Sequence, residues 1–315
     1  MKRYLKKLLC TIFAISILLV STIHVNAATP YRVISDDKAK TKVGNYYIWL
    51  NSEKGIYVSK SKKSSPKKIV SKPKSSDTHI GYTLVTNGSR IYYGTVKCNG
   101  EGFSIYMKIY RIDVSGKNNT YIGKVSRAHS FGGYYNGNLF VEKNDYYKGE
   151  YEPTIIDTYI YNLKSKKSSL VKKDFKIICQ NGKYMIGAPI YENATGSPTA
   201  IHIYNASTKK IYKISSEASS HYTKFLNGKI YYVEINNYFT EDMGYVIKTC
   251  SYTAKNKKTV YTIKTEDDGE KPGNLIGIKS SYVEYTKFKD NFSKEIYYRY
   301  YYSSKKVVKI KEVKL

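Results

Sequence analysis

The chain is poor in the residues that staple a fold, break its strands or read a nucleic acid. Its 315 residues include 4 cysteines, 7 prolines, 1 tryptophan and 5 histidines. Cys10 falls in the N-terminal leader described below, which leaves Cys98, Cys179 and Cys250, far apart and in no Cys-x-x-Cys spacing. Three such cysteines exclude a disulfide framework and a zinc knuckle, and leave free thiols or one chance pair. Acid is scarce as well: 25 Asp and Glu face 53 Lys and Arg, a formal net charge of +28. Only 6 of those bases are arginine. Arginine reads bases and phosphates with a planar fork, whereas lysine is a point charge on a flexible stem. No specific nucleic-acid partner is therefore expected, and an anionic polymer is the partner that the charge favours. The chain also lacks a Gly-x-Ser-x-Gly elbow, a His-Glu-x-x-His pair and a glycine-rich phosphate loop. Asp267-Asp268-Gly269-Glu270 is acidic without the calcium-loop spacing, so no cofactor is expected.

What is present begins with an address. Met1 to Lys7 is basic, Leu8 to Val20 is apolar, and Val25-Asn26-Ala27 supplies small residues for cleavage. Residues 1–27 read as a signal peptide, and residues 28–315 as a secreted, extracellular protein that associates with the cell envelope. The apolar run falls short of the roughly 20 residues a membrane helix needs, and no later run is longer, so no transmembrane segment is expected. Losing Lys2, Arg3, Lys6 and Lys7 lowers the net charge to +24.

The 36 tyrosines and 41% hydrophobic residues supply a large core, and tyrosine packs best on pleated strands. Asn-Gly recurs at Asn87-Gly88, Asn136-Gly137, Asn181-Gly182 and Asn227-Gly228, at spacings of 49, 45 and 46 residues. Each pair sits between two apolar runs, the strongest short hairpin signal. Weaker copies begin at Gly44-Asn45 and Ser280-Ser281. Two more strands follow in each unit, joined by a lysine-rich turn, as in Ile201 to Tyr204 and then Ile211 to Ile214. No helical period occurs. The pattern predicts an all-β, six-bladed β-propeller of four-stranded antiparallel blades, at about 31–72, 77–126, 127–173, 174–218, 219–266 and 272–315. Adjacent large residues such as Tyr231 and Tyr232 then point one toward each neighbouring blade.

Asn227 to Tyr232 reads Asn-Gly-x-Ile-Tyr-Tyr, and Ile109-Tyr110-Arg111-Ile112-Asp113 enters a polar turn. These motifs resemble the six-bladed propellers of the low-density-lipoprotein-receptor type, in the TolB-like bacterial form common in secreted Gram-positive proteins. The receptor-type Tyr-Trp-Thr-Asp signature is absent. The resemblance implies a binding scaffold without an assigned activity.

Up-and-down blades sort their loops onto two faces. The turns between third and fourth strands collect lysines such as Lys164, Lys166, Lys167, Lys305 and Lys306, and the opposite loops collect acids such as Asp145, Glu192, Glu241 and Asp268. The acidic loops are long and carry Phe103, Tyr146, Tyr147, Tyr191, Tyr238 and Phe239, which are the candidate ligand-binding residues. His79, His129 and His221 lie 8, 7 and 6 residues before their Asn-Gly turns, with Asp174 at the matching place in the fourth unit. Around a narrow axis these four are a candidate transition-metal set, weighed against local hydrogen bonding that braces each blade. Cys98 has no base identifiable beside it, and a nucleophilic thiol is not expected. The sequence thus points to a non-enzymatic protein that binds an extracellular protein or glycan through the acidic, aromatic face. The lysine face adheres to anionic envelope polymer in this reading. The alternative is a metal-dependent lyase or hydrolase with its site at the channel mouth.

Overall fold

The computed structural model describes residues 30–36, 40–145, 155–189, 198–236, 244–263, 271–289 and 292–315. All elements below belong to the compact body Tyr31–Leu315. The signal-peptide expectation for residues 1–27 lies outside the described residues. So do the loop aromatics Tyr146, Tyr147, Tyr191, Tyr238 and Phe239.

Every regular element described is a strand. A short β1 (Arg32–Ser35) precedes the meander β2 (Thr41–Val43), β3 (Tyr46–Asn51), β4 (Gly55–Ser59) and β5 (Lys67–Ser71). The next group is β6 (Thr78–Ile80), β7 (Thr83–Thr86), β8 (Arg90–Cys98), β9 (Ser104–Asp113) and β10 (Thr120–Ser126). A third group is β11 (Ala128–Tyr135), β12 (Asn138–Asp145), β13 (Ile155–Asn162) and β14 (Ser168–Lys172). Then come β15 (Lys176–Asn181), β16 (Tyr184–Ala188), β17 (Pro198–Asn205) and β18 (Lys210–Ser219). These are followed by β19 (Lys224–Leu226), β20 (Lys229–Asn236), β21 (Gly244–Cys250) and β22 (Lys258–Ile263). The chain ends with β23 (Lys271–Ile278), β24 (Tyr282–Lys289), β25 (Lys294–Tyr301) and β26 (Lys306–Lys314).

All pairings are antiparallel and join sequence neighbours, except that β6 skips β7 to pair with β8 and that two larger departures occur. The fourth and fifth groups join into one eight-stranded sheet through the single pair Ala218↔Glu234. The second departure corrects the expected boundary at 31–72. β1 does not join β2–β5 but adds to β7, with Arg32↔Thr86 through Ser35↔Thr83. Val33 and Ile34 belong to different apolar clusters, so this segment wedges between two sheets instead of extending one.

Alternation along each strand builds the core. Tyr92 faces the third group and Tyr93 faces the first. Tyr232 packs with Ile186, Ile203 and Ile214, while Tyr231 packs with Leu275, Val283 and Tyr300. Period-two chemistry thus lets each sheet bury both faces. Polar braces join the groups as well. The Thr83 hydroxyl donates to Phe131 O at 2.9 Å and accepts from Phe131 N–H, and Gln180 Oε1 accepts from Tyr134 N–H at 3.1 Å.

The turns follow local rules. Asn136-Gly137 and Asn227-Gly228 both carry two positive φ angles, the backbone a two-residue hairpin with primed turn geometry requires. Asn87 and Asn181 do not, and only their glycines enter the left-handed region. In the lysine turns, Lys166 N–H donates to Asn162 O at 2.9 Å, and Lys209 N–H to Asn205 O at 2.7 Å. Those two lysines sit at φ 59° and 58°. Part of the lysine pattern is therefore turn chemistry. β12 pairs Asn138↔Asn162 and Asp145↔Ile155, which puts the backbone at Asp145 at the opposite sheet end from the Lys164–Lys167 turn.

Candidate functional site

The second sheet carries an open groove on its face toward β5. Strand β8 sends Tyr92 and Val96 into the core, which leaves Tyr93, Thr95 and Lys97 on the other face. Strand β9 does the same with Met107 and Ile109 inward and Tyr106, Lys108 and Tyr110 outward. The register pairs Tyr93↔Tyr110, Thr95↔Lys108 and Lys97↔Tyr106. Ile69, Val70, Ser71 and Pro73 form the facing wall, Thr78 and Asn119 complete the lining, and the space holds about 480 Å³.

Each side chain is held in place. The Tyr93 and Tyr110 rings stack at 5.3 Å, and the Tyr93 hydroxyl donates to Asn119 Oδ1 at 3.0 Å. Burial pushes the Tyr93 hydroxyl above its ordinary range. Lys97 pairs with Asp77 at 2.9 Å. Asp77 also accepts from the Ser75 and Thr78 hydroxyls, and these donors with Lys97 hold its carboxyl down at about 2. Lys124 Nζ lies 5.0 Å from the Tyr106 ring centre and Lys108 Nζ lies 5.9 Å from it. Tyr106 is thus ringed by Lys97, Lys108 and Lys124. This arrangement matches an acidic, sugar-like chain: ring faces stack on C–H surfaces and ammonium groups meet carboxylates.

The candidate metal set does not gather. His79 lies on β6, and His129 lies on β11 at an irregularity of register between Ala128 and Ser130. His221 sits in the turn before β19, its ring edge-on to Tyr222 at 4.9 Å. Asp174 precedes β15 at φ 46°, and its N–H donates to Asp157 Oδ1 at 2.8 Å. The charges that act on Asp174 are Lys172 and Asp157, and no histidine is among them. Among the described residues no three His, Cys, Asp or Glu side chains are placed to hold an ion. The physical reason is strand parity. Offsets of 8, 7 and 6 residues do not keep one side of a strand, and a bulge re-aims the residue it inserts.

Two features of this region are invisible in the spacing. Cys98 Sγ stands 3.8 Å from His79 Nδ1, so the thiol does have an imidazole beside it. Burial raises the thiol and lowers the imidazole from their usual values. The second is Glu142, fully buried, which accepts from the Ser130 hydroxyl at 2.6 Å and from Ile177 N–H at 3.2 Å. Burial raises its carboxyl. His129 is driven down to about 4 by burial, with the charges of Lys176 and His79 adding to the effect. Of the expected ligand-binding aromatics, Phe103 is described: it is 39% exposed, and its N–H donates to Asn99 Oδ1 at 2.8 Å.

No known family profile matches the chain, and no curated protein does. Among solved structures it is similar to an oligogalacturonate lyase in complex with manganese, at 11% identity and a TM-score of 0.39, over 72% of this chain and 63% of that one. It is also similar to one of two prolyl endopeptidases analysed for inter-domain dynamics, at 11% identity and a TM-score of 0.49, over 91% of this chain and 42% of that one. A third is the β-propeller domain of the Trilobed protease from Pyrococcus furiosus, at 10% identity and a TM-score of 0.43, over 71% and 68%. The chain spans less than two thirds of the length of the first two. The fold is all-β with propeller proteins as its structural neighbours. A lyase and peptidases stand among these neighbours, where the sequence led us to expect a non-enzymatic binding protein.

Proposed function

We propose that this chain is a secreted propeller enzyme that cleaves an acidic polysaccharide by elimination, with the strand seated in the groove between β5 and β8–β10. The single observation that carries the reading is Tyr106 ringed by Lys97, Lys108 and Lys124 on an aromatic floor. Hydrolysis of a glycosidic bond usually employs two carboxyl groups flanking that bond. The groove lining contains none; Asp77, beside it, is taken up by Lys97. Elimination asks for something different. A cation neutralises the sugar carboxylate and so acidifies the adjacent C–H. A second group takes that proton as the bond to the leaving oxygen breaks. Lys108 serves the first role, since Lys97 is already paired with Asp77. The Tyr106 hydroxyl serves the second: its oxygen takes the C–H proton as its own proton passes to the leaving oxygen, so the tyrosine ends as it began. No step is routed through a metal; among the described residues no group of three or more His, Cys, Asp or Glu side chains is placed to hold one.

The same reading takes the six consecutive strand groups, five of them four-stranded, as six blades, and envelope or extracellular uronate polymer as the partner. Its support is the repeated strand order and the excess of lysine.

The test is to incubate the full chain with a polyuronate and with its carboxyl-reduced form, following the ultraviolet absorbance of unsaturated ends. Product from the polyuronate alone is expected. Tyr106→Phe should lower kcat by about 100-fold, in the range that one acid–base group contributes. Lys108→Ala should act on both kcat and KM. Equal cleavage of the carboxyl-reduced polymer, or new reducing ends without absorbance, overturns the proposal.

A further inference from the structure

Cys98 on β8 and His79 on β6 form a second pair of reactive side chains on the other face of this sheet. Thr78 and Lys97 turn toward the groove, while Cys98 packs against the cluster of Val96, Met107 and Phe131. The register sets His79 opposite Val96, and the ladder shifts between Lys97 and Cys98. Cys98 shares the inward side with Val96, and its Sγ stands 3.8 Å from His79 Nδ1. We infer that Cys98 and His79 form a two-donor site for a soft monovalent metal ion, with Cu(I) as its ligand.

The distance is the first support. Two donors on one ion, with a metal–sulfur bond of about 2.3 Å and a metal–nitrogen bond of about 2.0 Å, stand about 3.5 Å apart at a tetrahedral angle and about 4.3 Å apart in line. The observed separation lies within that interval, about 0.5 Å short of the in-line value, so an ion held by two donors enters with a small rotation of the side chains and no movement of either strand. The second support is the donor set. Thiolate with imidazole is the soft combination that selects Cu(I) over oxygen-seeking ions. Two donors fall short of the four of a structural zinc site and the six or more oxygens of calcium. They suffice for a monovalent ion that is content with two. Cys98 is only partly buried, which leaves a way in. On binding, the S–H bond breaks, the S–Cu bond forms, the proton passes to solvent, and copper keeps its oxidation state.

The experiment is an anaerobic titration of the full chain with Cu(I) in competition with bicinchoninate. One equivalent per chain is expected, with one sulfur and one nitrogen donor in the X-ray absorption spectrum. Cys98→Ser should abolish binding, His79→Gln should weaken it at least 10-fold, and Cys179→Ser should leave it unchanged. Alkylating Cys98 in the folded protein should abolish it without a substitution. Stoichiometric Cu(I) retained after alkylation, or His79→Gln binding as tightly as the parent chain, overturns the inference. Both outcomes are independent of the elimination assay, which reads the opposite face.

Discussion

Acid should unfold this protein through one imidazole, and the size of the effect follows from its surroundings. His129 stays neutral in the folded chain because burial opposes its charge and because Lys176 and His79 add positive potential. Its folded value is about 4 against an ordinary 6.5. A base whose folded value is depressed contributes no penalty above the unfolded value. It withdraws stability as pH falls below that value, since only the unfolded chain takes up the proton. The full displacement corresponds to about 3 kcal/mol. Between about pH 7 and about pH 5 the unfolded chain gains about 0.7 of a proton here and the folded chain about a tenth of one, so the loss is about 2 kcal/mol. Glu142 works in the opposite sense, because a carboxyl raised by burial favours the folded state as pH drops toward its folded value. A single stability curve therefore mixes the two. The clean measurement is the difference between the parent chain and His129→Gln in urea unfolding free energy across that window. The gap between them should shrink by about 2 kcal/mol as pH falls. Parallel curves would refute the reasoning, because they would mean that His129 takes up its proton alike in both states.

Two further substitutions probe the frame. Glu142→Ala removes the acceptor of both the Ser130 hydroxyl and Ile177 N–H in a site closed to water; it should cost about 2–4 kcal/mol, with Glu142→Gln costing less, read from thermal or urea unfolding. Gly55 sits at φ 143°, and a Cβ there would stand 2.2 Å from Val70 O. Gly55→Ala should therefore lower stability by about 2 kcal/mol or more, and an unchanged melting temperature would show that β4 and β5 can part.

The repeat was legible because hairpin chemistry is local. Asn136-Gly137 and Asn227-Gly228 adopt the backbone that their residues favour, and the alternation at Tyr231-Tyr232 sends one ring to each neighbouring layer. What sequence offsets do not carry is side. His79 and His129 were grouped by distance from a turn, yet a register shift at His129 and a one-residue difference in offset break the equivalence. β1 was misassigned for a related reason. Four residues of strand character fit any free edge, and only the packing of Val33 and Ile34 against two clusters decides that the edge is β7.

The groove escaped notice because each of its strands reads as ordinary alternation. Tyr93-x-Thr95-x-Lys97 and Tyr106-x-Lys108-x-Tyr110 look like solvent faces of half-buried strands. In a layered fold that reading carries a contradiction, since the opposite neighbour should cover that face with apolar residues, as Tyr231 and Tyr300 are covered between the last two groups. Tyr93 and Tyr110 are covered in that way by the cluster of Ile69 and Val70, whereas Thr95, Lys97, Tyr106 and Lys108 line an open groove. Two strands with this composition, adjacent in one sheet and in register, were the available signal. The lysines cannot be assigned to solubility alone, because Lys97 is fixed by Asp77 and Lys108 stands across from Thr95 in the middle of the ladder, away from any turn. Position within the sheet, and not the total charge of the chain, is what separates these lysines from those of the turns.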